Sequence, residues 1–488
     1  MHCLLTYCIL GADRSFGFRL QILSLSPLEL SNPNSPGERG ASPADRAHVT
    51  ALCAGGGQTG CVLMAGTEHG SMTAFRSHDA LLEELEAATF DRPPALVANA
   101  HITGLGVARA LSAHDVPVIA VDRVGDGAAP PSQHVDYAGQ VTYPLDDQAG
   151  FCADVEALTR AAGRELVAFG CMDEWVHGFA DTEPDGVRLP FAGRDVVDAV
   201  LDKSSLYRIA EDLGVPYPET LPLSEVTPDE AVDRLGLPLV VKPALKREFE
   251  EAVGTNVVEV ATVEELLDVL DLAREAGIEV MAQRKIATVR GEDHSLASHV
   301  GPDGDVLSLV GNARVRNPLD FGTSCLVERA EKPVIEERAL AVLEATGYHG
   351  ISEAEFVYCP DREEYLLLDI NTRPWKWIDL TVTAGANLPM AAYASVTDAT
   401  YESTGVHDAR WVFLPDYLDL LATTDVRDRL TPEDWGALVS GRFEATRRSR
   451  PASTAPPTPN RPTRCSRPRS GCASTTVPAE HSPVLTGM

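Results

Sequence analysis

EAEFVYCPDREEYLLLDINTR (353–373) holds two apolar, strand-like runs on either side of a turn at Cys359–Glu364. A hairpin centred on Arg362 sets Glu355 opposite Asp369 and Glu353 opposite Asn371. Side chains alternate between the two faces of a strand. This register therefore predicts one core face of Phe356, Tyr358, Leu366, Leu368 and Ile370. It gathers Glu353, Glu355, Asp369, Asn371 and Arg373 on the other. Two carboxylates directly opposite one another repel. A bound cation removes that cost, and carboxylate and amide oxygens are hard ligands suited to Mg²⁺ held together with phosphates. Arg373 can then reach a phosphoryl oxygen or stabilise charge during transfer. The competing reading is a solvated acidic face on an acidic protein.

Upstream, Lys203 opens the helical KSSLYRIAEDLG, and Lys242 closes the apolar run LPLVVKP (237–243). The chain has only six lysines. One that ends a Val/Leu strand must snorkel, pair or meet an anion, and a phosphate ligand is the preferred reading. KREFEEAVGTN (246–256) reads as a mobile loop over a triphosphate. An amphipathic helix at 263–277 and a strand at 278–286 follow. Arg314 and Arg316 alternate, so on a regular strand they share a face and can grip a carboxylate or form surface salt bridges. Trp375 and Trp377 also alternate, as pocket walls or as core. Cys325 reads as a buried or incidental thiol.

In this order, Lys203, Lys242, a strand ending in Gln283, and E-F…D-I-N-T-R-P resemble the ATP-grasp superfamily. GNARVRNPLDFGTSCLVE (311–328), HGISEAEF and DINTRPWKWIDLTVTAGANLP (369–389) are similar to its carboxylate–amine ligase group. The resemblance covers roughly 94–400 and implies an α/β (α+β ATP-grasp) chain with ATP and Mg²⁺ (or Mn²⁺) as cofactors. It implies that Lys203 and Lys242 hold phosphates, and that the backbone around Gln283, Arg284, Lys285 and Ile286 meets adenine. Glu292 or Asp293 would hold the ribose, and Glu355, Asp369 and Asn371 the metal. Arg316 and Arg373 would steady an acyl phosphate. The implied reaction joins a small-molecule carboxylate to an amine, an amino acid in the first instance, and the group often forms homodimers. Two departures stand out. Asp369 replaces the usual Glu, and the loop after Lys242 carries Glu248, Glu250 and Glu251. A carboxylase of the same fold and a non-catalytic nucleotide-binding protein are the rivals.

Before this lies a β-turn-α-β pattern. PALVANA (94–100), VPVIAVD (116–122) and ELVAFG (165–170) read as parallel strands. Thr103-Gly104-Leu105-Gly106 opens a helix, either as an anion cradle or as a tight packing turn. Asp122 ends its strand where a dinucleotide fold places a ribose-binding acid, which keeps a nicotinamide-dependent oxidoreductase as a minor rival. Asp173 and Glu174 follow the third strand, as substrate ligands or as a solvated helix start.

The formal charge of −31 disfavours nucleic-acid binding, since no basic groove is available. So acidic and lysine-poor a surface suits a halophilic cytoplasm, with an acidic mesophilic enzyme as the alternative. The cysteines show no metal-ligand spacing. No apolar run reaches ~18 residues, so no membrane span is expected, and the opening MHCLLTYCIL is a poor signal peptide. The expected organisation is a disordered or misassigned extension (1–75), a parallel-sheet pre-ATP-grasp domain (76–200) and a two-subdomain ATP-grasp domain (201–400). A helical packing segment (401–446) and a disordered basic tail (447–488) follow. The tail has seven arginines and one acid, a reversal that also fits a frameshift.

Overall fold

The computed structural model describes residues 73–243, 257–319, 322–423, 426, 429–432, 434–436 and 484–487. Residues 1–72 of the expected extension, the loop at 246–256 and most of the tail lie outside the described residues.

Five parallel strands come first: β1 (Ala95–Ala98), β2 (Val118–Asp122), β3 (Tyr137–Gln140), β4 (Leu166–Gly170) and β5 (Val187–Arg188), in the order β3-β2-β1-β4-β5. The inner strands are buried on both faces, which explains their unbroken apolar sequences. Strand order reverses beside β1, and such a switch point leaves a crevice at the carboxyl ends of the strands. The helix Ile102–Ser112 contains the TGLG turn, and here tight packing is the use of its glycines. A Cβ on Gly104 would lie 2.3 Å from the Asn99 carbonyl oxygen, and one on Gly106 2.6 Å from Ile378.

A four-stranded antiparallel sheet follows, with β6 (Thr220–Pro222), β7 (Leu239–Pro243), β8 (Val258–Val260) and β9 (Val280–Arg284) in the order β6-β9-β7-β8. The helices Pro228–Leu235 and Val263–Glu275 close a small apolar core of its own. The third sheet has the order β14-β13-β10-β11-β12-β15-β16. Its strands are β10 (Asp293–Val300), β11 (Val306–Asn317), β12 (Thr323–Ala330), β13 (Gly350–Cys359), β14 (Glu364–Asn371), β15 (Arg410–Phe413) and β16 (Val484–Gly487). All neighbours are antiparallel except β15 and β16. Within the tail read as disordered, VLTG (484–487) is thus paired to a sheet edge. It is uncharged and follows the last arginine by more than a turn of chain.

Both large apolar clusters run without a break from the parallel sheet to the third sheet. One joins Leu96 and Ile119 to Leu296, Phe356 and Ile370; the other joins Val97 and Phe169 to Leu309, Trp375 and Trp377. The four-stranded sheet stands apart from both. That division leaves a cavity of about 870 Å³ whose walls come from all three sheets.

Candidate active site

The hairpin β13–β14 has the register expected at its chemical end: Glu353 pairs with Asn371 and Glu355 with Asp369. A bulge then intervenes, so that Phe356 pairs with Leu367. The apolar faces are corrected accordingly. Leu367, not Leu368, joins Phe356 and Ile370 in the core, while Leu366 packs with Val357 and Cys359, beside Leu368 and Ile286. An extra residue in one strand reverses the alternation beyond it.

The carboxylates are met by a network. Asn371 Nδ2 donates to Glu353 Oε2 at 3.2 Å and to Glu355 Oε1 at 3.0 Å. Trp377 Nε1 donates to Glu353 Oε1 at 3.0 Å. Gly311 makes room for that indole: a Cβ there would lie 2.7 Å from its ring. Lys203 is only 3% exposed, and its Nζ lies 3.4 and 3.5 Å from the two oxygens of Asp369. Its helix, Lys203–Asp212, is capped by Asp202, which accepts from the Ser205 N–H.

Arg316 Nε donates to Asp293 at 3.0 Å, and its Nη2 lies 3.7 Å from Glu355. Burial works against its charge, but Glu355 and Asp293 more than offset this and hold it above its ordinary value. Burial also raises Asp293, which Arg316 offsets only in part. Bulges in β11 fall on either side of Val315, yet both Arg314 and Arg316 reach the cavity. Arg314 donates to the Gly291 carbonyl.

At the strand crossing between sheets, Gln283 is occupied. Its Nε2 donates to the Tyr207 hydroxyl at 3.0 Å and to Thr220 Oγ1 at 2.8 Å. Tyr207 donates to the Leu368 carbonyl, and burial, with Asp369 nearby, keeps it protonated.

Of the residues singled out by sequence, Lys203, Lys242, Gln283, Arg284, Lys285, Ile286, Arg316, Glu355, Asp369, Asn371 and Arg373 all line the cavity. Glu292 does not. It accepts from the Tyr365 hydroxyl at 2.7 Å and pairs with Lys332; the Tyr365 hydrogen bond first, and Lys332 after it, hold it below its usual range, and its neighbour Asp293 lines the cavity instead. Asp122 spends its carboxylate on the N–H groups of Ala100 and Arg123, a structural use. Trp375 and Trp377 are core residues that also reach the wall. Cys171, Cys325 and Cys359 are buried thiols, and burial pushes Cys325 up to about 12. Sequence reasoning missed the partner of Arg373, which is Asp173. Nothing local to either residue signals the pairing.

Among the described residues no three His, Cys, Asp or Glu side chains converge as a preformed metal cage. Mg²⁺ held with phosphates requires only one or two carboxylates, so the set Glu355, Asp369 and Asn371 fits it in donor chemistry.

No family model matches the chain. It is 26% identical over 225 residues to a D-alanine–D-alanine ligase of Stutzerimonas stutzeri (strain A1501). That match spans 43% of this chain and 66% of the ligase, just under two thirds of its length. Among solved structures, biotin carboxylase from Campylobacter jejuni superimposes with a TM-score of 0.53 at 14% identity, covering 65% of this chain and 73% of that one. N5-carboxyaminoimidazole synthetase from Staphylococcus aureus, complexed with ADP, gives 0.53 at 16% identity, covering 69% and 86%. At such identities the likeness is one of fold.

Proposed function

Starting from the ATP-grasp fold of this chain, we propose that it is an ATP- and Mg²⁺-dependent carboxylate–amine ligase that releases ADP and phosphate. The observation that carries the reading is the opposed pair Glu355–Asp369, with Asn371, Lys203 and Arg316 closed around it on one wall of the cavity. Such a wall suits the transfer of a phosphoryl group, where positioning and charge neutralisation do most of the work.

A carboxylate is a poor acyl donor. Its oxygen attacks the γ-phosphorus of ATP, the bond to ADP breaks, and an acyl phosphate results. The amine nitrogen then attacks the acyl carbon, the carbon–oxygen bond to phosphate breaks, and the nitrogen gives up a proton. In this scheme Lys203 and Lys242 hold phosphate oxygens, and Arg316 and Arg373 steady the acyl phosphate. The backbone at Gln283–Ile286 meets adenine. Asp293, which lines the cavity where Glu292 does not, would hold the ribose. Glu355, Asp369 and Asn371 would hold Mg²⁺, which supplies neutralisation of phosphate charge. An amino acid is the proposed amine, by analogy with the D-alanine–D-alanine ligase match.

The test is Mg²⁺-dependent ADP release by the full chain in concentrated KCl, across a panel of amino acids. Release that needs a particular amino acid, and falls at least ~10²-fold in Glu355→Gln, is the expected result. Failure to bind ATP would sink the reading. A second reading, a carboxylase of the same fold, is favoured by the biotin carboxylase likeness. Bicarbonate-dependent release without an amine would identify it.

A further inference from the structure

Arg373 Nε donates to Asp173 Oδ1 at 2.6 Å and its Nη2 to Asp173 Oδ2 at 3.3 Å, while Nη1 donates to the Pro374 carbonyl at 3.2 Å. The side chains are 11% and 17% exposed. The two residues are 200 positions apart. Asp173 stands in the first turn of the helix Asp173–Thr182, just after β4 of the parallel sheet, and Arg373 just after β14 of the third sheet. A guanidinium has five N–H groups in a planar fork. Two are taken by Asp173 and one by Pro374, which leaves two on Nη1 and Nη2 for an anion in the cavity. Burial opposes the charge of Arg373, and Asp173 more than offsets it, with Glu353 and Glu174 adding to the field. After Asp173, the next attraction on the guanidinium comes from Glu353, inside the carboxylate cluster.

We propose that Asp173 is a positioning residue: by holding the Nε edge of Arg373 from the parallel-sheet side, it aims the remaining edge at the phosphoryl group. The inference rests on the reading of Arg373 given above. Its role lies in the transferring phosphoryl group and not in nucleotide affinity, so the two can be read separately.

The probe is Mg·ADP, titrated into the full chain with and without orthovanadate, a pentacoordinate stand-in for the transferring group. In the parent, vanadate should tighten ADP binding at least tenfold. Asp173→Asn keeps one oxygen but loses the charge and half of the fork. It should bind Mg·ADP within about twofold of the parent and lose most of the vanadate gain. Asp173→Glu should recover part of it, and Arg373→Ala none. A melting curve separates misfolding from mispositioning, and Asp173→Glu carries the test if Asp173→Asn does not fold. Full vanadate gain in Asp173→Asn, with loss in Arg373→Ala, overturns the proposal alone. A parent that does not bind Mg·ADP overturns the ligase reading together with it.

Discussion

His299 shows how one buried side chain gives the fold a pH response. It is 5% exposed, and its Nε2 has no hydrogen-bond partner among the described residues. Burial, with His349 nearby, pushes its pKa down to about 4. The unfolded chain takes up that proton from about pH 6.5 downward, so the unfolded state binds more protons over this window and stability rises with pH. The contribution is fully present above about 6.5 and is lost as pH falls towards 4; between pH 7 and pH 5 the loss is about 2 kcal/mol. In His299→Leu the urea midpoint should therefore fall less between these two pH values than it does in the parent. Parallel falls in both proteins would remove His299 from the account. At this scale the sequence was readable where chemistry was local. Glu355 and Asp369, and Glu353 and Asn371, are paired by their distance from one turn. Asp173 and Arg373 were not readable, because only the docking of two sheets brings them together. Glu292 and Asp293 are adjacent, and which one faces the cavity depends on Tyr365 and Lys332, neither of which alternation can foresee.

Among the elements, the hairpin β13–β14 carries the clearest disagreement between pattern and structure. Strict alternation gives Leu368 to the core and Leu367 to the opposite face. The bulge after Glu355 exchanges them: Leu367 is fully buried, and Leu368 is half-buried on the cavity wall. Three consecutive leucines satisfy either register, so the sequence carries no penalty that would reveal the slip. Leu367→Ala should cost about 2–5 kcal/mol in chemical denaturation, as truncations in closed cores do. Leu368→Ala should cost less than about half of that and should mainly weaken nucleotide binding. The reverse order would restore the regular hairpin. Other strands were legible for an opposite reason. β1, β2, β4, β7 and β9 are short apolar runs bounded by polar turns, and no second register competes with the observed one.

At the level of the whole chain, the charge is the property that the fold does not explain. The described cores are ordinary: two clusters bind the parallel sheet to the third sheet, a smaller one holds the four-stranded sheet, and two more lie along the third sheet. Pattern and burial account for these. The charge of −31 does nothing for them, since like charges on a closed surface favour expansion. Ion pairs such as Arg194 with Asp198 and Arg284 with Glu219 offset only part of it, because 72 acids face 41 bases. At a Debye length of about 10 Å in 0.1 M salt, neighbouring carboxylates still repel; at 1 M the length falls to about 3 Å and the repulsion is largely lost. The melting temperature should therefore rise on the order of 5 °C between 0.1 and 2 M KCl, equivalent to about 4 kcal/mol at ~2.1 cal/mol/K per residue over roughly 400 residues. Sucrose at matched osmolality stabilises by exclusion alone and is the control. A rise with KCl well above that with sucrose supports adaptation of this surface to a salt-rich compartment. Equal rises, or none with KCl, would leave the acidic surface without that role, whatever reaction the cavity performs.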